Sequence, residues 1–487
     1  MAYRLIWAVF AALFITGCAA MNYDSKISAV ADSLKSGNLD KGIAMLDSQY
    51  HLNDKGLLYY LEKGELQRTK GSYSESRDTW LQADKMVRQW EDEVKTNPSK
   101  LLGNVGSVLI NDTTRLYDGR DYEKVFLNVK LAMDHLSLGN WDDARIEIKK
   151  MHEREAIIAD FRSKELDKAK ADAQAKGIKV TSFKELNGYP IETLEAPEVQ
   201  ELKNSYESAF ANYLAGFVYE ALGEPSLAAP GYRKAAQMRP NKPLIDDALS
   251  GLDKRIRARD SKNVDTLFVI ESGDAPAIKS QEIGLFLPVP CRNGLCPTLI
   301  QISWPVIRPT NTSIVPDSIL IDNQSHPVTM LTSVDAMARR ALFDEMPGII
   351  ARSSIRAIAK AATQKAVDDN SSNMGLAGGL LSLATIVATA VSEVADERAW
   401  RTLPGFYSVT RVKLAVGAHK ITIQTPSGPE ERDIQVSGRY MVIALRTAGN
   451  KLYLAQPKVI LGLPNASSIQ NPKMPIASAN SIVSSGG

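Results

Sequence analysis

The sequence predicts an α+β multidomain chain: an N-terminal helical solenoid followed by a small β-sandwich that a helical hairpin interrupts. Three observations carry this reading. Residues 27–260 show the apolar spacing of amphipathic helices and are nearly free of β-branched runs. Four glycines, Gly37, Gly71, Gly139 and Gly223, each fall between two such helical stretches. After "RDSKNVD" the pattern changes to short β-branched runs separated by Pro, Gly, Asn and Asp.

At 487 residues the chain is long enough for two to four domains, each with its own core. Its 58 basic and 56 acidic residues leave a formal charge of +2, which gives no electrostatic case for nucleic acid. The first residues are more specific. "MAYR" is a short positive start, Leu5 to Phe14 an apolar core, and "ITGC" ends it on small residues before Cys18. The tetrad Ile15-Thr16-Gly17-Cys18 resembles the lipobox of bacterial lipoproteins; the alternative is an ordinary secretory peptide with an incidental cysteine. The resemblance implies a signal peptide at 1–17, a lipidated linker at 18–26 and acyl chains on Cys18. Each buried methylene contributes about 0.8 kcal/mol, so two or three chains make a stable anchor. Ala19, where inner-membrane lipoproteins carry Asp, implies an outer-membrane protein facing the periplasm.

The helical domain, 27–260, repeats around its glycines. Gly37 and Gly71 are thirty-four positions apart. Two residues after each glycine stands Leu39, Tyr73, Trp141 or Pro225, and five after it Gly42, Ser76, Ala144 or Ala228. The small residue lets two helices approach, and the larger one wedges against the next unit. The pattern resembles the tetratricopeptide repeat, a helix–turn–helix unit of 34 residues; a generic bundle with glycine turns is the alternative. Pro230 should kink its helix, and residues 152–200 interrupt the array. Tyr60, Trp80 and Trp141 read as inter-helix core. Such arrays bind extended peptides or partner helices on a concave face. "LYDGRDYEKVFLNVKLAMDHLSLGNWDDARIEIKK" (116–150), "YLAGFVYEALGEPSLAAPGYRKAA" (213–236) and "ADERAWRTLPG" (395–405) are similar to an uncharacterised family of bacterial tetratricopeptide lipoproteins. The resemblance implies cell-envelope work, since relatives tend to be encoded near lipoproteins that regulate peptidoglycan synthases.

The β domain is split into 261–333 and 399–460, with two separate small β domains as the alternative. "DTLFVIES", "EIGLFLPV", "PTLIQISW", "DSILIDN" and "HPVTMLTS" supply its first strands; "YSVTRVKL", "HKITIQT", "RDIQVSG" and "RYMVIALR" supply the rest. In "PVPCRNGLCP", Asn293-Gly294 is a type I′ turn signal. With those two at the tip, Cys291 faces Cys296 across the strands, which predicts a disulfide in an oxidising compartment. Two free thiols and a metal site are the alternatives. The tail, 461–487, rich in Ser, Asn and Pro, is expected to be disordered.

The insertion, 334–398, holds an uncharged run from Met374 to Ser392, roughly 28 Å long as a helix. Gly375, Gly378, Ser382, Thr385, Thr389 and Ser392 draw one seam of small and polar residues along it, a device for close helix packing. The expected partner is 336–367, antiparallel to it, where Arg352, Arg356 and Lys360 form a basic stripe read as a solvated face. Contact with an oligomer or partner, and membrane insertion, are the other readings.

No catalytic motif emerges. The five histidines are dispersed, "HERE" at 152 lacks a second metal ligand, and neither a GxSxG elbow nor a phosphate loop occurs. His152 reads as a surface or capping residue, and Asp396, Glu397, Arg398 and Arg401 as a helix-end salt-bridge cluster. The expectation is a non-enzymatic scaffold with no cofactor and no metal. It would bind periplasmic or envelope proteins through the solenoid and the membrane through its anchor, and could form a homo-oligomer. A structural subunit of an envelope channel or secretion complex is the alternative.

Overall fold

The computed structural model describes residues 23–50, 55–97, 116–175, 184, 186–257, 262–291, 294–309, 314–371 and 395–457. The signal peptide, Cys18, the tail and the whole seam from Gly375 to Ser392 lie outside the described residues.

The helical region is built of hairpins: α1 (Tyr23–Ser36) with α2 (Leu39–Gln49), α3 (Leu57–Lys70) with α4 (Tyr73–Thr96), and α5 (Asp121–Ser137) with α6 (Trp141–Ala175). After a short α7 (Pro197–Gln200) comes the pair α8 (Ala209–Ala221) and α9 (Pro225–Met238), then α10 (Pro243–Ser250) and α11 (Leu252–Arg257). One device ends the first helix of all four hairpins. Gly37, Gly71, Gly139 and Gly223 take φ between 75° and 88°, and the N–H of the residue after each glycine bonds a carbonyl five residues back. These bonds are Asn38 to Ser33, Ser72 to Gln67, Asn140 to His135 and Glu224 to Tyr219, at 2.8–2.9 Å. This is the Schellman stop, and the left-handed glycine is what permits it.

The small residue five positions later does what its size suggests. A Cβ on Gly42 would stand 1.9 Å from Ser33 Oγ. Ser76 Oγ donates to the carbonyl of Gly64 at 2.9 Å, and Ala144 and Ala228 are fully buried. Successive hairpins pack α2 on α3, α4 on α5 and α6 on α8. Helix α9 continues through Pro230, which stands on its exposed side.

Two sheets follow. β1 (Asn263–Ser272), β2 (Ile278–Cys291), β3 (Gly294–Ile307), β4 (Ser318–Ile321), β5 (Gln324–Pro327) and β6 (Thr329–Ser333) precede helix α12 (Val334–Ser371). β7 (Phe406–Ala415), β8 (Gly417–Thr425), β9 (Gly428–Val436), β10 (Tyr440–Ala448) and β11 (Lys451–Ala455) follow it. One sheet has the order β11-β10-β1-β7-β6 and the other β5-β4-β8-β9, so both draw strands from each side of α12. Alternation divides the larger sheet. Phe268, Ile270, Ile443 and Leu445 meet Ile319, Ile421, Ile423 and Ile434 of the smaller sheet, which makes a sandwich. Leu267, Val269, Tyr407, Val442 and Ala444 point the other way, into one core with the helices.

That shared core closes the inner side of the helical region. Every residue of α5 is buried, and Ala209 to Glu220 of α8 likewise. Tyr407 of β7 stacks between Phe126 and Phe210, at 4.9 and 4.7 Å. The surface on which a repeat array would hold a peptide is here taken by the protein's own sheet.

Three expectations change. First, β2 and β3 do not join the sandwich but form a separate two-stranded ribbon. Its register pairs Cys291 with Gly294 and Val289 with Cys296, so the two cysteines are diagonal rather than opposed. The prolines explain the register. With Asn293-Gly294 at the tip, Pro290 and Pro297 would face each other at a hydrogen-bonded pair with no N–H to give. The observed register moves every proline to the non-bonded phase. The side chain of Cys291 lies outside the described residues.

Second, two of the three residues of the basic stripe of α12 are not solvated: Arg356 is buried and Arg352 half-buried, because α12 packs on α6, β2 and β3, and the side chain of Lys360 lies outside the described residues. Third, residues 395–400 carry no regular secondary structure and form no part of a helix.

Candidate functional site

The segment "ADERAWRTLPG" is a clasp between the helical hairpins and the sandwich, and buried carboxylates hold it. Glu62 of α3 accepts from the backbone N–H groups of Arg401 and Thr402, at 2.7 and 3.0 Å, and from the hydroxyls of Thr402 and Tyr23. Glu123 of α5 accepts from Trp400 N–H at 2.6 Å, from Arg120 N–H at 3.0 Å and from Tyr117 Oη at 2.5 Å. Glu397 accepts the N–H of Ser280 in β2 at 2.7 Å. Between them Trp400 packs edge-on against Trp80, with centroids 5.9 Å apart. Burial pushes the Glu62 carboxyl up to about 7, although four hydrogen bonds oppose it. Burial also raises Glu123 against the hydrogen bonds of Tyr117 and the backbone.

Of the four residues read as a salt-bridge cluster, Asp396 and Arg398 do pair, at 2.8 Å. Arg401 instead meets Asp24 at 3.4 Å and donates to the carbonyl of Ala275. Glu397 serves the backbone of β2. Sequence reasoning missed the roles of Glu62 and Glu123, because their partners lie more than 270 residues away.

Beside the clasp lies a cleft of about 370 Å³ between α5, α6 and α12, into which Arg120, Arg162, Arg352, Arg356 and Arg398 project. Asp121, Glu165, Asp344, Glu345 and Asp396 share its walls. Arg120 pairs with Glu345 at 3.1 Å and donates to the carbonyl of Asp396. Arg162 forks onto both carboxylate oxygens of Asp121, at 2.7 and 2.9 Å. Burial pushes Asp121 up, but Arg162 and Lys124 overcome it and hold the carboxyl below its ordinary value. Burial raises Glu345 against Arg120 and Arg162. Cations and anions alternate around the cleft, so it presents no net anion trap and no isolated acid–base pair. Among the described residues, no group of three His, Cys, Asp or Glu side chains could hold a metal ion.

The histidines stay apart. His152 is half-buried beside Glu155 at 3.3 Å, and His419 of β8 bonds Asp322, in the exposed turn between β4 and β5, at 2.6 Å. Trp80 is fully buried, and Tyr60 and Trp141 pack against the same core.

Three large apolar side chains stand exposed on the ribbon β2–β3. Phe286, Leu295 and Leu299 are 64%, 69% and 53% exposed, and Phe286 and Leu299 are directly paired across the strands. The opposite face, with Ile283, Leu285, Leu287 and Val289, is buried. Among the described residues, no helix is long and apolar enough to cross a membrane.

These features define a mixed helix-and-sheet protein with an N-terminal helical region. No family model matches the chain, and no curated protein matches it. A tetratricopeptide repeat protein from Parabacteroides merdae is similar in structure to 47% of this chain over 98% of its own. Its sequence identity is 15% and its TM-score 0.13.

Proposed function

We propose that this chain is a non-catalytic outer-membrane lipoprotein facing the periplasm, a protein-binding scaffold for cell-envelope assembly or regulation. The partner class implied by the family resemblance is the peptidoglycan synthases. The lipobox ending at Cys18 supports the location. The observation that carries the non-catalytic reading is how the buried carboxylates are used: Glu62, Glu123 and Glu397 all accept backbone N–H groups of distant segments. They join elements, and none of the three lines the cleft. With the inner helices covered by the sheet, partners would meet the outer helices, the cleft rim or the ribbon.

Metabolic labelling with a palmitate analogue tests the anchor. The wild type should take up label and Cys18→Ser should not; label retained by the variant would sink the assignment. A disulfide between Cys291 and Cys296 belongs to the same proposal. Alkylation of unfolded, unreduced protein from the periplasm should leave both thiols unmodified, and reaction at both would remove the bridge. Capture of partners by the lipidated protein in its own cells then tests the scaffold role. Recovery of no envelope protein above background would count against it.

The second reading, a structural subunit of an oligomeric channel, draws on the exposed ribbon. Its size after detergent extraction separates the two, a monomer favouring the scaffold and a large ring the subunit.

A further inference from the structure

We infer that the ribbon β2–β3 lies against the bilayer to which the chain is tethered, with Phe286, Leu295 and Leu299 entering the interfacial layer. The inference rests on the lipoprotein reading above and adds a second, protein-made contact to the lipid. Four observations point to a lipid surface as the occupant of this face.

The first is composition. Between Ile283 and Ile307 the sequence has a single charged residue, Arg292. An apolar face this poor in charge loses little by leaving water, whereas a protein-docking rim would be expected to carry polar and charged groups.

The second is the backbone. A two-stranded ribbon has two open edges, and edge N–H groups are costly in a poorly hydrated layer. Pro288 pairs with Pro297, and neither can donate, so this pair is in the phase whose N–H positions point outward. Pro290 and Pro305 fall in the same phase, opposite Leu295 and Ser280. Near the tip the outward positions of β2, Pro288 and Pro290, therefore have no donor, and on β3 Pro297 has none while Leu295 keeps its N–H. At the ribbon's base the same phase keeps its donor, and there Ser280 N–H finds the carboxylate of Glu397. The same prolines oppose strand addition by a second copy.

The third is location. Asp24 pairs with Lys279 at the start of β2 and with Arg401 of the clasp. Cys18 is six residues before Asp24, a length of chain that spans at most about 22 Å. Phe286 is seven residues along β2 from Lys279, about 23 Å away in an extended strand. A tether of that length leaves the ribbon within reach of a bilayer that holds Cys18. The fourth is the exposure itself, since aromatic and leucine side chains are the residues that interfacial segments bury.

The test uses the mature chain from residue 19, made without lipid, and vesicles of phosphatidylethanolamine and phosphatidylglycerol. Wild-type protein should co-sediment with the vesicles, and Phe286→Asp combined with Leu299→Asp should lower that partition at least tenfold. Asp at Leu227, an exposed leucine of α9, should leave it unchanged. Should the double variant misfold, a second reading replaces it. In Phe286→Trp, brominated lipid should quench fluorescence beyond the wild-type background, and in Leu227→Trp it should not. Absence of wild-type binding, binding retained by the folded double variant, or no added quenching at position 286 would each overturn the inference. So would vesicle-free self-association that the double variant abolishes, which would make a second copy the occupant. Palmitate labelling reads the anchor independently. Loss of label with vesicle binding intact would fail the lipoprotein reading alone.

Discussion

Glu62 is the residue at which burial and hydrogen bonding oppose each other most plainly. Its carboxyl is raised to about 7 in the folded chain, against an ordinary value of 4.5. Between those values the folded state holds a proton that the unfolded state has lost, so stability falls as pH rises through this window. The contribution is on the order of a few kcal/mol. Glu62→Gln removes the titration, so the wild type's stability relative to the variant should decline from pH 5 to pH 8. Urea unfolding at both values measures it, and a difference independent of pH would refute the assignment. Such a residue cannot be picked out from the sequence. "YYLEKGELQ" shows a glutamate on a helix, and only the return of Arg401 and Thr402 gives it donors.

At the scale of elements, buried ion pairs fasten helix to strand. Lys130 of α5 meets Glu65 of α3 at 3.0 Å and Glu271 of β1 at 2.8 Å, and all three side chains are at most 3% exposed. Burial raises Glu271, but Lys130 and Arg68 outweigh it and hold the carboxyl below its ordinary value. Arg411 of β7 joins Glu220 of α8 to Asp265 of β1 in the same manner, at 2.6 and 2.7 Å. Removing one partner strands the others in a dry site. Lys130→Met should therefore cost about 3–5 kcal/mol in chemical denaturation, and a loss below 1 kcal/mol would show that the site is hydrated. The four glycine stops were legible because a Schellman turn uses only neighbouring residues. The register of β2–β3 was not read correctly, because Asn293-Gly294 was weighed without the phase that Pro288 and Pro297 impose.

For the whole molecule, the decisive feature is that the helices and the larger sheet share one core. Phe126, Phe210 and Phe217 meet Tyr407 and Tyr440 there. A repeat array normally unfolds by neighbour-to-neighbour steps, but here the sheet spans several hairpins at once. A fragment of residues 19–262 should expose the inner faces of α5 and α8, bind a hydrophobic dye and lack a sharp thermal transition. The full mature chain should unfold in one. A fragment with a cooperative transition and no dye binding would show that the helical region is self-sufficient. The same closure bears on the scaffold proposal, because a peptide cannot use an inner face that the sheet already fills.

Local patterns determined a good deal by themselves. The change of period from 3.6 to 2 near residue 262, the hairpin stops at four glycines and the strands of the sandwich all depend on contacts within a few residues. The lipobox-like tetrad before residue 19 and the lack of catalytic motifs are likewise read from short stretches, and they frame the functional proposal. Strand β11 went unread, since "KLYLA" is short and is stabilised by pairing with β10 at the edge of a sheet. Tertiary structure alone decided where buried charge is tolerated, as Glu65, Lys130 and Glu271 are distant in sequence and costly to bury separately. It also decided which apolar faces stay open. Leu285 and Phe286 are adjacent and equally apolar, yet one is buried and the other exposed. The physical reason is that alternation along a strand separates two faces, while what covers each face is set by elements that arrive from elsewhere in the chain.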